Sequence, residues 1–434
     1  MPSFPAKRAI ASVSCAISPP STKRKIQSTT TKSAVDSFFT PVSQKPPTKT
    51  KWKVIGETLL TCRYEDPKQT QQLPEKNRKV AGFDLDGTLI KTKSGNTHSK
   101  DTQDWQWWHP DIPTKIKGLY KEGYHIVIFT NQAGLKEPSK KTAHYIKFKE
   151  KVNGILNELD IPLHLYAATS KDKYRKPRTG MWEEMMDDLN LDHHSVDLES
   201  SYLVGDAAGR EGDFSASDWH WALNIGIHFW TPEEFFLGET GREKVHPWSP
   251  AQHIADSEKL TSSPTPFAPK KDQEIIVFVG SPGAGKSTFF HRYLEPKGYV
   301  RVNQDLLKSR GKCITQTKKL LAEGMSVVVD NTNADVKTRA IWIELAEKHN
   351  LKPRCVYFAT PPEICLHNDA VRAFSDKESF NPEKRDPLPG IAFTSYKSRF
   401  EEPKKEEGFE ELVRVAFKFM GSKDEGEVWG RFWT

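Results

Sequence analysis

The sequence predicts an α/β protein with two successive units, and three observations support this fold class. From Val80 onward, short apolar runs alternate with helix-forming stretches, which is typical of a doubly wound parallel sheet. The first run, Val80–Phe83, ends in a DLDGT turn, and ligands of open α/β sheets bind at the carboxyl ends of strands. A later run, Glu274–Val279, leads into a glycine-rich loop and predicts a second α/β unit.

Composition indicates two globular domains with additional chain outside any core. The chain has 434 residues, of which 36% are hydrophobic. Its five cysteines include no CxxC pair, which fits a reducing compartment and argues against structural zinc. No apolar run approaches the roughly 18 residues of a membrane span, and no signal-peptide core is evident. We expect a soluble, intracellular monomer.

Positive charge is concentrated in the first part of the chain. Residues 1–79 contain 15 Lys and Arg against 5 Asp and Glu, so they carry +10 while the remainder carries −3. Such a tail indicates nucleic acid or a transport receptor as a partner, with a solubilising role as the alternative. Lys23-Arg24-Lys25 is a short candidate nuclear-localisation signal, which favours the nucleus.

One stretch of the tail indicates a protein partner. Phe38 and Phe39 are adjacent in a polar region, where exposed apolar side chains are unfavourable unless a partner covers them. With Val35 they resemble the motif by which repair and replication proteins dock into the sliding clamp, except that Lys32 stands where that motif has Gln. The hypothesis is that Val35, Phe38 and Phe39 bind the clamp.

The order of elements divides the chain into four parts. We predict a disordered basic tail at 1–50, a first domain at 51–248, a Pro- and Ser-rich linker at 249–272 and a second domain at 273–434. Strands of the first domain are predicted at Lys51–Tyr64, Val80–Phe83, His125–Thr130, Leu163–Ala168 and Ser201–Val204, with a helix at Ile146–Leu159. The second domain has predicted strands at Glu274–Val279, Tyr299–Val302 and Ser326–Val329.

Polar residues at four predicted strand ends of the first domain favour phosphomonoester hydrolysis. They are Asp84 with Asp86, Thr130, Lys176 and Asp206. Asp84 fits a carboxylate nucleophile and Asp86 the general acid and base, while Thr130 and Lys176 would hold the phosphate. Asp206 would join Asp84 and the Asp86 carbonyl around Mg²⁺, a hard ion that prefers oxygen. Singly, Thr130 could be a strand-end hydroxyl, Lys176 a surface cation and Asp206 a helix cap.

The glycine-rich loop of the second domain, GSPGAGKS, matches the Walker A pattern in full. Its backbone would cradle the phosphates of ATP, Lys286 would reach the outer phosphates, and Ser287 would ligate Mg²⁺. Other nucleotide-binding candidates are Gly280, Gly283, Gly285, Thr288 and Arg372, with Arg339 and Arg385 as weaker ones.

Two carboxylates follow later strands of the second domain. Asp305 is placed to accept the proton of an acceptor hydroxyl, although it could instead cap the next helix. Asp330 could support the metal or serve packing.

The motifs of the first domain resemble haloacid-dehalogenase (HAD)-type phosphatases. Over about residues 51–434 the chain resembles eukaryotic polynucleotide kinase 3′-phosphatases, through GFDLDGTLI, EGYHIVIFTNQAG, RKPRTGMW, VGDAAGR, TPEEFF, GSPGAGKST, VNQD, DNTN and SYKSRFEEP. The resemblance implies a HAD-like doubly wound phosphatase domain followed by an adenylate-kinase-like P-loop kinase domain. It also implies a DNA-end repair enzyme that removes 3′-phosphates and phosphorylates 5′-hydroxyls with ATP. Asp84 would be the phosphorylated nucleophile, Asp86 the acid and base, and Asp305 the kinase base.

The chain departs from the animal members of this family. They carry an amino-terminal phosphopeptide-binding domain, which a tail of 50 residues cannot hold, so a fungal-type member is expected. The lid sequence HNDAVRAF has fewer arginines, and the stretch after GDAAGR is acidic where the animal proteins are basic.

Several side chains are candidates for holding DNA. Trp105, near Trp107 and Trp108, could stack on bases or belong to the core. Arg175, Arg178 and Arg210 flank the motifs and could contact backbone phosphates, and Lys308 could contact the acceptor strand or be a solvated helix lysine. Two other hypotheses are a metabolite phosphatase fused to a small-molecule kinase, and a non-catalytic scaffold tethered to the clamp.

Overall fold

The protein is described from a computed structural model that covers residues 49–65, 77–135, 140, 142–192, 194–246, 248–259, 267–270 and 272–434. The proposed clamp motif at Val35, Phe38 and Phe39 lies outside these described residues. Within them, no helix combines the length and the apolar character needed to cross a membrane.

The first unit is a seven-stranded sheet with helices on both faces, in the strand order β1-β2-β7-β6-β3-β8-β9. Its strands, together with a separate pair formed by β4 and β5, are β1 (Thr50–Ile55), β2 (Leu59–Tyr64), β3 (Val80–Phe83), β4 (Ile90–Lys91), β5 (Gln106–Trp107), β6 (His125–Asn131), β7 (Leu163–Ala168), β8 (Tyr202–Val204) and β9 (His228–Trp230). Its helices are α1 (Ile112–Lys121), α2 (Ala143–Leu159), α3 (Gly180–Asp188) and α4 (Ser217–Ile225).

One edge of this sheet differs from the parallel arrangement that the sequence predicts. Strands β7, β6, β3, β8 and β9 are parallel, but β1 pairs with β2 and β2 with β7 in antiparallel registers. The short connection at residues 56–58 explains the β1–β2 pair, because a turn of this length joins antiparallel strands and a parallel pair needs a longer crossover.

The central strands are buried on both faces, which explains their continuous apolar runs. On β6, Ile128 lies in one core layer with Phe83 and Leu165. The next residue, Phe129, lies in the opposite layer with Tyr166 and Trp221. These two layers fix the sheet so that its carboxyl edge presents the polar turns after β3, β6 and β8.

The second unit is a parallel five-stranded sheet in the order β11-β12-β10-β13-β14, and the Walker A loop follows the central strand. Its strands are β10 (Ile275–Val279), β11 (Val300–Val302), β12 (Val327–Val329), β13 (Arg354–Phe358) and β14 (Glu411–Val415). The remaining α-helices of the described residues are α5 (Pro250–Lys259), α6 (Lys286–Phe289), α7 (Gln304–Leu307), α8 (Arg310–Ala322), α9 (Val336–Lys348), α10 (Pro362–Phe374), α11 (Gly390–Arg399) and α12 (Lys423–Trp429).

The predicted linker at 249–272 begins as a helix, α5. Ile254 of this helix and the preceding Trp248 pack against the buried side chains of Ile364, Val371 and Trp429. The linker prediction rested on the Pro- and Ser-rich composition and took no account of these apolar positions. Pro250 does not prevent a helix, because proline is well tolerated in the first turn. We propose that the chain has the two predicted domains, and that α5 belongs to the second of them.

Arg339 was a weaker candidate for nucleotide binding, but the structure gives it a stabilising role within the second unit instead. The side chain is fully buried on α9, and its guanidinium forms two 2.7 Å hydrogen bonds to the Glu407 carboxylate. Its Nη1 atom donates to the carbonyls of Asn333, Ala334 and Glu401 at 3.1, 3.1 and 2.9 Å. Arg339 therefore ties the segment after β12 to the segment before β14.

We expect Arg339→Met to lower the free energy of unfolding by about 3–5 kcal/mol, because the Glu407 carboxylate, whose side chain is only 9% exposed, loses its partner. Urea unfolding followed by tryptophan fluorescence measures the change. The double variant Arg339→Met/Glu407→Met should be clearly less destabilised than the single one. A single variant as stable as the wild type would contradict this role.

Candidate active sites

At the first sheet, Lys176 joins two carboxylates that come from different elements. Its Nζ atom lies 2.6 Å from Asp84 Oδ1, just after β3, and 2.6 Å from Asp218 Oδ1 on α4. It also donates to the Phe129 carbonyl at 2.7 Å. Because Lys176 is only 2% exposed, this ion-pair network is almost completely removed from water.

Asp206, after β8, completes a buried carboxylate cluster with Asp84 and Asp218. Oxygens of the three side chains lie within 4.8 Å of one another. Burial raises the pKa of Asp84 well above its usual range, with a further contribution from the other two carboxylates and an opposing one from Lys176. Burial and the nearby Asp218 raise the pKa of Asp206 to about 7. Burial alone would lower the pKa of Lys176, but the two carboxylates it binds raise it.

The chemistry of this cluster fits a divalent cation such as Mg²⁺. Three carboxylates against one ammonium leave an excess of negative charge in a buried place, and the donors are all oxygens, which hard cations prefer. Asp84 and Asp206 are in the predicted metal set. The Asp86 carboxylate is not in this cluster and binds Gln132 and Lys151 instead, so only its carbonyl remains a candidate ligand there.

Asp86 lies at the entrance of the site, where 51% of its side chain is exposed. Its Oδ2 accepts a hydrogen bond from Gln132 Nε2 at 2.7 Å, and its Oδ1 lies 3.1 Å from Lys151 Nζ on α2. Gln132 Nε2 also donates to the Thr130 hydroxyl at 3.0 Å. Gln132 therefore connects the two predicted residues Asp86 and Thr130, and the accessible carboxylate suits proton transfer to a substrate.

Sequence reasoning missed Asp218, Gln132 and Lys151. Asp218 and Lys151 lie inside helices, where neither a strand end nor a glycine turn marks them. Gly205, within the VGDAAGR motif, is a signal that relates to Asp218. It must be glycine, because a Cβ at that position would lie 2.7 Å from Asp218 Cγ. This signal is readable only when the fold is known.

At the second sheet, the Walker A loop folds over the Lys286 side chain. Lys286 Nζ donates to the carbonyls of Gly280 and Ser281 at 2.9 and 2.7 Å, and burial lowers its pKa. Gly283 has a φ of +74°, and a Cβ there would lie 3.0 Å from the carbonyl carbon of Cys365 on α10. Only glycine permits this close approach.

Ser287, Asp330 and Arg301 form a connected group beside this loop. The Ser287 hydroxyl donates to Asp330 Oδ2 at 2.9 Å. Arg301, on β11, donates to the same carboxylate oxygen at 2.6 Å and to Ser287 Oγ at 2.7 Å. Ser287 and Asp330 are adjacent oxygen donors, which fits a Mg²⁺ ion bound with a nucleotide. Sequence reasoning missed Arg301, because nothing marks a single arginine within a strand.

Asp305 lies on α7 with 71% of its side chain exposed and with Arg385 Nη1 at 3.5 Å. The cap of α7 is Asn303, whose side chain accepts from the amides of Asp305 and Leu306, so the helix-cap interpretation of Asp305 is wrong. The Asp305 carboxylate is therefore not used as a cap, and its exposed side chain can face an acceptor hydroxyl beside Arg385.

The remaining predicted residues of the second unit are paired arginines or exposed side chains. Arg372 pairs with Asp369 on α10, and Arg385 pairs with Glu383. Glu383 also accepts from Arg301 at 2.7 Å, and these two arginines lower its pKa to about 2 although partial burial opposes this. Thr288 on α6 is exposed, and so is Lys308, which follows α7.

The structure argues against two of the predicted DNA contacts. Arg210 is 8% exposed and forms ion pairs with Asp213 at 2.9 Å and Glu233 at 2.8 Å, so its charge is already matched. It also donates to the Asp206 carbonyl at 3.2 Å, which makes it a positioning residue. Trp105 is partly buried and packs edge-on against Trp107 above the core, which favours the core alternative.

The other two predicted DNA contacts of the first unit lie on the loop that carries Lys176. Arg175 is partly buried, and its Nη1 has no hydrogen-bond partner among the described residues. Arg178 is buried and donates to the carbonyls of Asp172 and Trp433, each at 2.6 Å.

Comparisons with known proteins match both units. Residues 79–236 match the family described as polynucleotide kinase 3 phosphatase, and residues 275–312 and 312–403 match the AAA domain family. The chain is 41% identical over 402 residues to the bifunctional polynucleotide phosphatase/kinase of Schizosaccharomyces pombe, covering 92% of this chain and 91% of that protein. It is 30% identical over 217 residues to the polynucleotide 3′-phosphatase of Saccharomyces cerevisiae, covering 37% of this chain and 87% of that protein.

Gly87 has a φ of +85°, and a Cβ there would lie 2.7 Å from Asp206 Cγ. We expect Gly87→Ala to displace Asp206 and to weaken Mg²⁺ binding about tenfold or more, with a matching loss of phosphomonoester hydrolysis. Calorimetric titration with Mg²⁺ and a hydrolysis assay measure the two effects.

The matched control for Gly87→Ala is Gly95→Ala. Gly95 also has a positive φ, +74°, but among the described residues other than its two chain neighbours no heavy atom lies within 4 Å of the added Cβ. Both variants carry backbone strain of about 1–2 kcal/mol, and only Gly87→Ala meets Asp206. Equal losses in the two variants would show that strain and not the contact is responsible.

We expect Asp218→Asn to lower the rate of phosphomonoester hydrolysis about 100-fold, because Lys176 loses one of its two charged partners beside Asp84. The control is Asp187→Asn, which removes an exposed carboxylate of α3 in the same unit. Steady-state kinetics separate kcat from KM, and an unchanged kcat would contradict the role of Asp218.

Proposed function

This chain belongs to the family of bifunctional polynucleotide phosphatase/kinases, and we propose that it prepares DNA strand breaks for ligation. The first unit removes 3′-phosphates, and the second phosphorylates 5′-hydroxyls with ATP. The observation that carries the proposal is the buried network in which Lys176 joins Asp84 and Asp218 next to Asp206, at the end of a sheet separate from the Walker A site. Two independent phosphoryl-handling sites on one chain match the two activities.

The first site supports hydrolysis through an aspartyl phosphate. Lys176 holds Oδ1 of Asp84, so Oδ2 attacks the phosphorus atom and the bond to the 3′-oxygen breaks. Asp86 donates a proton to the leaving oxygen and later takes a proton from the water that hydrolyses the ester. The Thr130 hydroxyl and Lys176 hold the phosphoryl oxygens. Asp84, Asp206 and the Asp86 carbonyl would hold Mg²⁺, which would supply charge compensation.

The second site supports transfer of the γ-phosphoryl group of ATP. Asp305 accepts the proton of the 5′-hydroxyl as the hydroxyl oxygen attacks the γ-phosphorus, and the bond to the oxygen that bridges the β- and γ-phosphates breaks, so that ADP leaves. Lys286 and Arg372 hold the phosphates, and Ser287 and Asp330 would hold the Mg²⁺ ion. Arg301 keeps these two oxygen donors together, because it donates to both.

We also propose that the protein acts as a monomer in the nucleus, in single-strand break repair. The basic tail and its Lys23-Arg24-Lys25 cluster support the location. Binding of Val35, Phe38 and Phe39 to the sliding clamp stays a prediction. The test is to compare how well immobilised clamp retains the wild type and the variant Phe38→Ala/Phe39→Ala.

We expect Asp84→Asn to abolish 3′-phosphate removal and to spare 5′-phosphorylation, while Lys286→Ala has the opposite effect. The measurement uses an end-labelled gapped duplex with a 3′-phosphate and a 5′-hydroxyl, with Mg²⁺, with and without ATP. Each variant serves as the control for the other, because each removes one site and leaves the other intact.

Phosphate loss should be independent of ATP, and 5′-phosphorylation should require it. If the wild type changes neither end but hydrolyses members of a sugar-phosphate panel, the substrate is a metabolite and the nucleic-acid assignment is wrong.

A further inference from the structure

A groove of about 290 Å³ lies between the two units, beside the loop that carries Lys176. Its volume is close to the lower limit of about 300 Å³ for sites that bind small organic ligands. The first unit contributes Lys173 and Arg178 to its wall, and the second contributes Phe374, Lys377, Arg431 and Trp433. None of the reaction steps described above uses this groove.

Hydrogen bonds between the units hold the walls of the groove in place. Asn224 Nδ2 donates to the carbonyls of Pro177 and Phe432 at 2.8 and 2.7 Å, and Asn224 Oδ1 accepts from the Phe432 amide at 2.8 Å. Arg178 Nη1 donates to the Trp433 carbonyl at 2.6 Å. Because Pro177 and Arg178 directly follow Lys176, the groove is joined to the phosphatase site by one short segment.

The groove has an excess of positive charge. Lys173, Arg178, Lys377 and Arg431 line it against the carboxylates of Glu183 and Asp376. Among the described residues, none of these four cations has a carboxylate within ion-pair distance, and the hydrogen bonds of the buried Arg178 guanidinium go to backbone carbonyls. An anionic ligand would balance this charge.

Aromatic rings line the same groove. The Arg178 guanidinium carbon lies 4.4 Å from the centre of the Phe374 ring, and Trp433 and Phe432 contribute further lining. Cations that follow a phosphate backbone, next to aromatic faces on which bases stack, are the combination by which proteins bind single-stranded nucleic acid.

We propose that this groove binds the single-stranded segment of DNA whose 3′ end occupies the phosphatase site. Lys377 and Arg431 contact its phosphates, and Trp433 offers a face for a base. This assignment rests on the proposed function and adds a subsite that extends onto the kinase unit. It gives the second unit a part in holding the substrate of the first.

The test compares two substrates that share the same reacting group. One is a mononucleoside 3′-phosphate, and the other is a single strand of about 12 nucleotides with a 3′-phosphate. The groove variant is Lys377→Ala/Arg431→Ala, and the control is Lys348→Ala/Lys352→Ala, which removes two exposed lysines near the amino end of β13. We expect the preference in kcat/KM for the long strand to shrink about fivefold or more in the groove variant only.

Direct binding gives a second measurement. Fluorescence anisotropy with a labelled strand, repeated at several salt concentrations, should show that the slope of log Kd against log salt falls by about 1.4 in the groove variant, the value for two lost phosphate contacts. Trp433→Ala should weaken binding without changing this slope, because a stacking face carries no charge.

The outcomes separate this inference from the proposed function. If the wild type hydrolyses both substrates but the groove variant keeps the full preference for the long strand, the groove assignment is wrong and the phosphatase assignment stands. If inorganic phosphate competes with a strand that lacks the 3′-phosphate as well as a short oligonucleotide does, the groove is a phosphate site and the strand assignment is wrong. If the wild type hydrolyses neither substrate, the proposed function itself fails.

Discussion

Lys176 lies between the carboxylates of Asp84 and Asp218, 2.6 Å from each, in a place that water hardly reaches. Taking three ions out of water is costly, and only good geometry with additional hydrogen bonds offsets this cost. The Phe129 carbonyl and the Ala207 amide supply such bonds to Lys176 and to Asp218. Because the three ions come from the turn after β3, the loop after β7 and α4, the network can form only when these elements meet. The carboxyl edge of the first sheet is therefore organised around one ammonium group.

The second site follows a similar physical principle with other residues. Arg301 holds the buried Asp330 carboxylate and the Ser287 hydroxyl at the end of the sheet, and it continues to Glu383. In both units the carboxylate beside the cation is buried, whereas the proposed proton-transfer residues, Asp86 and Asp305, are 51% and 71% exposed. This division suits the chemistry, because charge compensation is stronger away from water and a proton-transfer group must reach the substrate.

Local patterns predicted most of the strands that carry these sites. The predicted strand at His125–Thr130 corresponds to β6, and that at Leu163–Ala168 to β7 with the same bounds. The predicted helix at Ile146–Leu159 begins earlier, at Ala143, because Thr142 caps it. The antiparallel edge and α5 were not predicted, since their signals were a short turn and two apolar positions in a polar stretch. Arg210 and Trp105 were predicted to contact DNA because they lie near motifs. Position near a motif does not reveal whether a side chain is already ion-paired, as Arg210 is, or packed on the core, as Trp105 is.

The sequence by itself determined the fold class, the two phosphate-handling motifs and the residues that stand in them. Those features are local, since a strand followed by DLDGT or by a Walker A loop fixes backbone and side chains within a few residues. Tertiary structure alone decided the partners. It brought Asp218 to Lys176 and Gln132 to Asp86, set Arg301 between Ser287 and Asp330, and placed Trp433 against Arg178, 255 residues away along the chain. The physical reason is that charge pairing and packing depend on distance in space, and no period or spacing in the sequence encodes which distant side chains will meet.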